Sequence, residues 1–244
     1  MSKILEIDRV THSFGGIVAV QDCSLSLERG KITGLIGPNG SGKTTLFNLI
    51  TGVHTAHSGQ IRLMGRSVNN LRPSQICAQG ICRTFQITRL FWEMSVLENM
   101  IVPIRHVGLR ALFGASIYSD EADRAMRLLE RVGLDHLRDQ PARRLSFGQQ
   151  KLLELAAVLM SGPDLVLLDE PASGVNPTMI RFIMNLIRNL NSEGVSFFIV
   201  EHNMHFVMEL CDYVYVLDQG VEIANGTPEI IQSNPAVLEV YLGN

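Results

Sequence analysis

The sequence predicts an α/β fold, with a core sheet of buried strands, an antiparallel β segment ahead of it and a helical segment inserted midway. Three observations lead there. Two short, unalternated apolar runs, Leu165 to Leu168 and Val195 to Val200, flank a stretch from Thr178 to Leu190 that carries Ile180, Ile183, Met184 and Ile187 on one side. Runs of that length suit strands buried on both faces, and the helix between them completes a βαβ crossover. Val18 and Val20, then Cys23, Leu25 and Leu27, recur with period two up to Gly30, the pattern of half-buried strands. From about Met94 to Leu159 the apolar residues return at helical spacing. Ala125, Leu128, Leu129 and Val132 form one stripe closed by Gly133, and Leu152, Leu155, Ala156 and Leu159 form another.

The remaining elements follow in chain order. Ile32 to Ile36 reads as a short strand ending at Gly37, and Leu46, Leu49 and Ile50 share a helical face that Gly52 closes. Ile61 and Leu63 alternate again. Near the C-terminus, Tyr213 to Leu217, the turn Asp218-Gln219-Gly220, then Val221 and Ile223, read as a hairpin. A helix follows, opened by Thr227-Pro228-Glu229 with Thr as cap and Pro at its first position. The whole is read as one domain, 1–244, with residues 1–88 and 160–244 as core and 89–159 as the helical subdomain; no repeat or long linker divides it.

Composition narrows the function. A chain of 244 residues with 46% in the hydrophobic class has material for a full core. Lys plus Arg number 21 against 24 Asp plus Glu, a net charge of −3 with no basic block, which argues against nucleic acid as a partner. Cys23, Cys77, Cys82 and Cys211 show no C-x-x-C spacing, which suits a reducing compartment and gives neither a disulfide framework nor a zinc site. The N-terminus has acidic residues where a signal peptide needs an apolar run, and no window reaches the ~18 apolar residues of a membrane span. The expectation is a protein neither secreted nor membrane-spanning by itself. Only 18% of residues are charged and the mean hydropathy is +0.16, a hint of apolar surface reserved for a partner.

Chemistry concentrates in a few segments. Gly37-Pro38-Asn39-Gly40-Ser41-Gly42-Lys43-Thr44 fits G-x-x-x-x-G-K-[ST] between a strand and a helix, and Thr45 continues it. The glycines allow successive backbone N–H groups to turn toward a phosphate. The helix N-terminus adds its dipole, Lys43 reaches the β and γ oxygens, and the Thr44 hydroxyl is placed to ligate Mg²⁺. The motif predicts a nucleoside triphosphate ligand. Leu165-Val-Leu-Leu-Asp169-Glu170 is an apolar strand ending in two carboxylates. Asp169 would arrive at the carboxyl end of the sheet beside the glycine loop, as an Mg²⁺ ligand through water. Glu170 points elsewhere, free to orient or deprotonate a water. Leu145-Ser-Phe-Gly-Gln149 precedes a helix, so Ser146 sits at a second positively polarised N-terminus; an ordinary N-cap is the plain alternative.

Those five residues resemble the LSGGQ signature of ATP-binding cassette (ABC) ATPases, with Phe147 in place of the first glycine. Together with the loop at 37 to 44 and Asp169-Glu170 in the same order, the resemblance covers essentially the whole chain. It implies a P-loop ABC ATPase fold: a RecA-like core sheet, an antiparallel β subdomain and an inserted helical subdomain. Phe14 resembles the aromatic that stacks on adenine, with Val20 beside the ring. Gln86 resembles the Q-loop glutamine that touches Mg²⁺ and the attacking water, and His202 the switch histidine on the γ-phosphate. Ser146, Gly148 and Gln149 would face the nucleotide of a second cassette, identical or paralogous, so that two subunits close around two ATP molecules. In the loop after Glu170 the family usually has Asp where this chain has Asn176.

The segments from Thr84 to Asn99, from Pro171 to Pro177 and from Ala224 to Gly243 resemble ATP-binding subunits of bacterial branched-chain amino-acid uptake systems, closest to the G-type of their two cassettes. Similar chains serve urea, amide or aromatic-acid uptake. The resemblance implies ATP hydrolysis with Mg²⁺, two transmembrane permease subunits as partners, a periplasmic solute-binding protein acting indirectly, and a place at the cytoplasmic face of the inner membrane. Leu90, Phe91, Trp92 and Met94 form an apolar cluster that is either the socket for a permease helix or core of the helical insert. A lipid or lipopolysaccharide exporter and a non-transport ABC ATPase stay open as alternatives. A GTPase does not, because no lysine follows an asparagine as N-K-x-D requires.

Overall fold

In the computed structural model, residues 2–84, 90–102 and 114–242 are described, without side chains for 114–119 and 242. The antiparallel segment is a four-stranded sheet in the order β2-β1-β4-β5, from β1 (Lys3–Phe14), β2 (Ile17–Glu28), β4 (Ser58–Leu63) and β5 (Arg66–Ser67). β1 pairs with both β2 and β4, and its register slips repeatedly. Arg9 and Asp22, both with positive φ, sit at these irregularities. They shift the phase of alternation, which is why burial on β2 steps from Val20 to Cys23.

The core sheet has six strands in the order β10-β9-β3-β8-β7-β6: β3 (Ile32–Ile36), β6 (Ile81–Arg83), β7 (Leu165–Asp169), β8 (Ser196–Val200), β9 (Tyr213–Asp218) and β10 (Val221–Gly226). Every residue of β3, β7 and β8 is buried, as strands covered on both faces require. Alternate side chains then feed two cores. Ile32, Ile36, Val166, Leu168, Phe197 and Ile199 enter the one shared with the helices. Leu35, Leu165, Leu167, Phe198 and Val200 enter the one shared with the antiparallel sheet. β9 runs parallel to β3 and β10 returns antiparallel, as the turn at Gln219-Gly220 dictates.

The helices are α1 (Lys43–Ile50), α2 (Pro73–Ala78), α3 (Val96–Ile101), α4 (Gly114–Val132), α5 (Phe147–Leu159), α6 (Pro177–Ser192), α7 (Met204–Leu210), α8 (Pro228–Gln232) and α9 (Pro235–Leu242). α3, α4 and α5 pack on one another through the stripes read from the sequence, with Ala125, Leu129, Val132, Leu152, Leu155, Ala156 and Leu159 buried. α6 is the crossover between the parallel neighbours β7 and β8. At α8, Thr227 holds the cap position but its hydroxyl makes no cap hydrogen bond. No helix among the described residues is long and apolar enough to cross a membrane.

Candidate functional site

Three buried strands end side by side, and the chemistry-bearing residues leave from their carboxyl ends. Leu35 on β3 pairs with Val200 on β8, and Val200 in turn faces Asp169 on β7. Two strand spacings, about 10 Å, therefore separate the start of the 37–45 loop from Asp169, with the chain that leads to His202 emerging between them. The strand alignment alone thus converts residues up to 165 positions apart in sequence into one edge.

The glycine loop is shaped by lack of space. A Cβ on Gly37 would lie 2.0 Å from the Leu217 carbonyl oxygen, and one on Gly42 would lie 2.3 Å from that of Ala19. Gly42 is also left-handed, at φ 100, where it starts α1. Lys43 is buried and its Nζ donates to the Gly37 carbonyl at 2.9 Å, the Pro38 carbonyl at 2.8 Å and Ser41 Oγ at 3.2 Å. Burial pushes the Lys43 ammonium below the ordinary lysine range, and the charges of Glu170 and Asp169 oppose that shift. A cation held by its own loop, with two carboxylates in range, suits an anionic ligand that takes over the carbonyls' role. Asn39, Gly40 and Thr44 are exposed, and Pro38 and Thr45 half-buried, around the mouth of the loop.

Asp169 is buried in an ion pair: Arg83 Nη2 donates to Asp169 Oδ2 at 2.6 Å, and both side chains are almost fully enclosed. The same guanidinium bonds Asn48 Oδ1 at 2.6 Å and lies over the Phe47 ring. Arg83 therefore ties β6 and α1 to the end of β7, a role the sequence reading did not assign. Thr44, in the first turn of α1, and Asp169, at the end of β7, offer hard oxygen donors. That set fits Mg²⁺, which keeps several waters and takes few protein ligands when it arrives with phosphates.

Glu170 adopts φ 50, a left-handed conformation unusual for its type, and its N–H bonds the Val200 carbonyl at 2.9 Å. The turn sends its side chain away from Asp169, and Oε1 lies 3.8 Å from His202 Nδ1. His202 is exposed, whereas the preceding Glu201 is fully buried. Glu201 Oε1 accepts from the Ala172 N–H at 2.6 Å, and Oε2 from the N–H groups of His202 and Asn203 at 3.0 and 3.2 Å. This carboxylate stitches the loop after Glu170 to the His202 loop. Sequence reasoning missed it, although an acid ending an apolar strand was the available signal.

The Ser146 segment is a separate surface. Ser146 is the N-cap of α5: its Oγ accepts from the Gln149 N–H at 3.4 Å, and Gln149 Oε1 accepts from the Ser146 N–H at 2.9 Å. The capping box and the exposed helix tip coexist, so the plain cap reading holds whatever else the tip does. Gly148 lies against Met179 and Phe147 against Gly174. Among the described residues no hydrogen bond joins this tip to the 37–45 loop. Lys151, one turn on, donates from Nζ to the Glu170 carbonyl at 2.7 Å. Asn176 accepts from the Met179 N–H at 2.9 Å and so caps α6.

Phe14 is 47% exposed at the tip of the β1–β2 hairpin, edge-on to His12 and His54 at centroid distances of 4.7 and 5.2 Å. Val20 is 0% exposed. Its side chain lies in the core cluster that also holds Leu35 and Leu46. The apolar cluster past the core divides: Leu90 is buried, while Phe91 and Trp92 are exposed. Gln86 lies outside the described residues.

The ABC transporter family model matches residues 20–173, and a second, described as branched-chain amino acid ATP-binding cassette transporter, matches residues 222–244. The chain is 40% identical to the high-affinity branched-chain amino acid transport ATP-binding protein LivG of Salmonella typhimurium, over 98% of each chain. It is also 40% identical to the corresponding protein BraF of Pseudomonas aeruginosa, again over 98% of each. Among solved structures it superposes on the ADP conformation of an ATP-binding cassette of an ABC transporter with a TM-score of 0.89, at 35% identity and over 100% of both chains.

Proposed function

Since the chain belongs to the ABC transporter family as an ATP-binding, ATP-hydrolysing protein, we propose that it is the subunit that energises uptake of branched-chain amino acids, working as a pair of cassettes at the cytoplasmic face of the membrane. The observation that carries the pairing is the separation of the two half-sites. The Lys43 side chain is buried and occupied with carbonyls of its own loop, whereas the Ser146 tip is exposed, internally satisfied and unbonded to that loop among the described residues. A positively polarised helix tip left in solvent suits the triphosphate held by a second cassette.

The residues then act as follows. The N–H groups of the 37–45 loop take the phosphates, and Lys43 Nζ exchanges the Gly37 and Pro38 carbonyls for β and γ oxygens. Phe14 offers its exposed face to the base. Thr44 and Asp169, with Gln86 as a further ligand, would hold the Mg²⁺ that comes with the nucleotide, and the metal would supply neutralising charge to the phosphates. Glu170 accepts the proton of the attacking water, and His202, hinged beside it by Glu201, contacts the γ-phosphate. Loss of that phosphate removes the bridge between the halves, so the pair reopens and a membrane partner can use the swing. The exposed Phe91 and Trp92 are the surface offered to two permease subunits; a periplasmic binding protein would deliver the solute, so the choice of amino acid is made outside this chain.

The test is Glu170→Gln. It binds ATP, loses hydrolysis by a factor on the order of 10²–10⁴, and elutes as a dimer in ATP but as a monomer without it. A monomer in both conditions contradicts the shared site.

A further inference from the structure

A cavity of about 360 Å³ is lined by α2, β6, Phe91 and the later turns of α5. Two cysteines line it. Cys77 is the penultimate residue of α2 and half-buried; Cys82 is the middle residue of β6 and buried. The turn at Gln79-Gly80 folds the chain back so that the two sulfur atoms stand 2.6 Å apart, both as free thiols. Ser161 Oγ lies 3.0 Å from Cys82 Sγ and 2.9 Å from the Val158 carbonyl oxygen.

We propose that Cys77 and Cys82 form a reversible dithiol–disulfide couple, a modification site in this cavity that takes a small hydroperoxide as oxidant and a low-molecular-weight thiol as reductant. The geometry assigns the roles. Both line the cavity, but Cys77 is the less buried of the two, which makes it the attacking thiolate; Cys82, buried beside it, resolves. The hydrogen bond from Cys82 holds the Cys77 thiol below its ordinary range against the opposing effect of burial, and the same contact, with burial, raises Cys82. The other two thiols are set apart: burial raises Cys23 to about 12 and raises Cys211 as well.

The chemistry balances. Cys77 thiolate attacks one peroxide oxygen, the O–O bond breaks, and the departing hydroxide takes a proton to leave as water, with Cys77 as sulfenic acid. Cys82 sulfur then attacks Cys77 Sγ; the S–O bond breaks, and the Cys82 proton leaves with that oxygen as a second water. Two thiols lose two electrons, and one hydrogen peroxide becomes two waters. Two exchanges with an external thiol restore both cysteines and yield that thiol's disulfide. The bond formed would fasten α2 to β6 one residue before Arg83, the arginine that holds Asp169.

The experiment uses the purified full chain, reduced and then exposed to hydrogen peroxide without nucleotide. Two of the four thiols should disappear from a count taken after unfolding, the intact mass should fall by about 2 Da, and dithiothreitol should restore both. The link should map to the peptide that ends at Arg83. Cys82→Ser should stop at a sulfenic acid on Cys77 that a dimedone probe captures, and Cys77→Ser should lose no pair. Survival of all four thiols, a link through Cys23 or Cys211, or an unchanged pair loss in Cys77→Ser would overturn the proposal. ATP takes no part in these readings, so they are independent of the proposed transport function.

Discussion

The Lys43 loop and the Ser146 tip both lead into helix N-termini, yet they are built in opposite ways. The base of the loop leaves no room for a Cβ at Gly37 or Gly42, and its buried cation is held by three oxygens of the loop itself. The tip stands in solvent, and its two terminal polar groups satisfy each other. The first arrangement is a preorganised cradle, costly to desolvate and useful only around an anion. The second tolerates exposure without a ligand, as a surface must if it meets its phosphate on another molecule. The difference teaches that the two halves answer to different perturbations.

The largest effect should come from the enclosed half. Arg83→Met removes one member of the buried pair with Asp169 and leaves the carboxylate without its partner. It should cost about 3–5 kcal/mol of stability, read by denaturant unfolding, with ATP hydrolysis lost in step. The exposed half should respond much less. Ser146→Ala removes one cap hydrogen bond and should cost about 1 kcal/mol, while calorimetric titration finds ATP binding to the isolated chain unchanged. A loss of ATP affinity in Ser146→Ala would erase the distinction between the halves.

The smallest effect concerns the rim. His12 sits behind Phe14, and burial lowers its pKa; the Thr55 carbonyl opposes this, while His57 and His54 lower it further. The folded chain therefore binds its proton less readily than the unfolded chain does. Stability rises with pH wherever the unfolded chain binds more protons. It should accordingly fall as pH drops below the ordinary histidine range near 6.5, and His12→Gln should flatten that part of the melting-temperature profile.

Legibility in the sequence followed burial and range. β3, β7 and β8 could be read almost to the residue because strands buried on both faces admit only apolar side chains, and the glycine loop because its spacing is local. β1 was harder: Ile4, Leu5, Ile7 and Val10 are buried, but bulges break their alternation. β6 has three residues, too few for a period. The missed site residues share a cause. Arg83 meets Asp169 across 86 positions, Glu201 meets Ala172 across 29 and Lys151 meets Glu170 across 19. A charged side chain in such a pairing looks, in sequence, like any solvated one.

The central claim, that one cassette's Lys43 loop and the other's Ser146 tip share a nucleotide, is most directly tested by mixing two inactive variants, Lys43→Ala and Ser146→Arg. A mixed pair contains one site with both halves intact, so ATP hydrolysis absent from either variant alone should return on mixing. If the mixture stays as inactive as its components while both variants remain folded, loop and tip do not belong to one shared site.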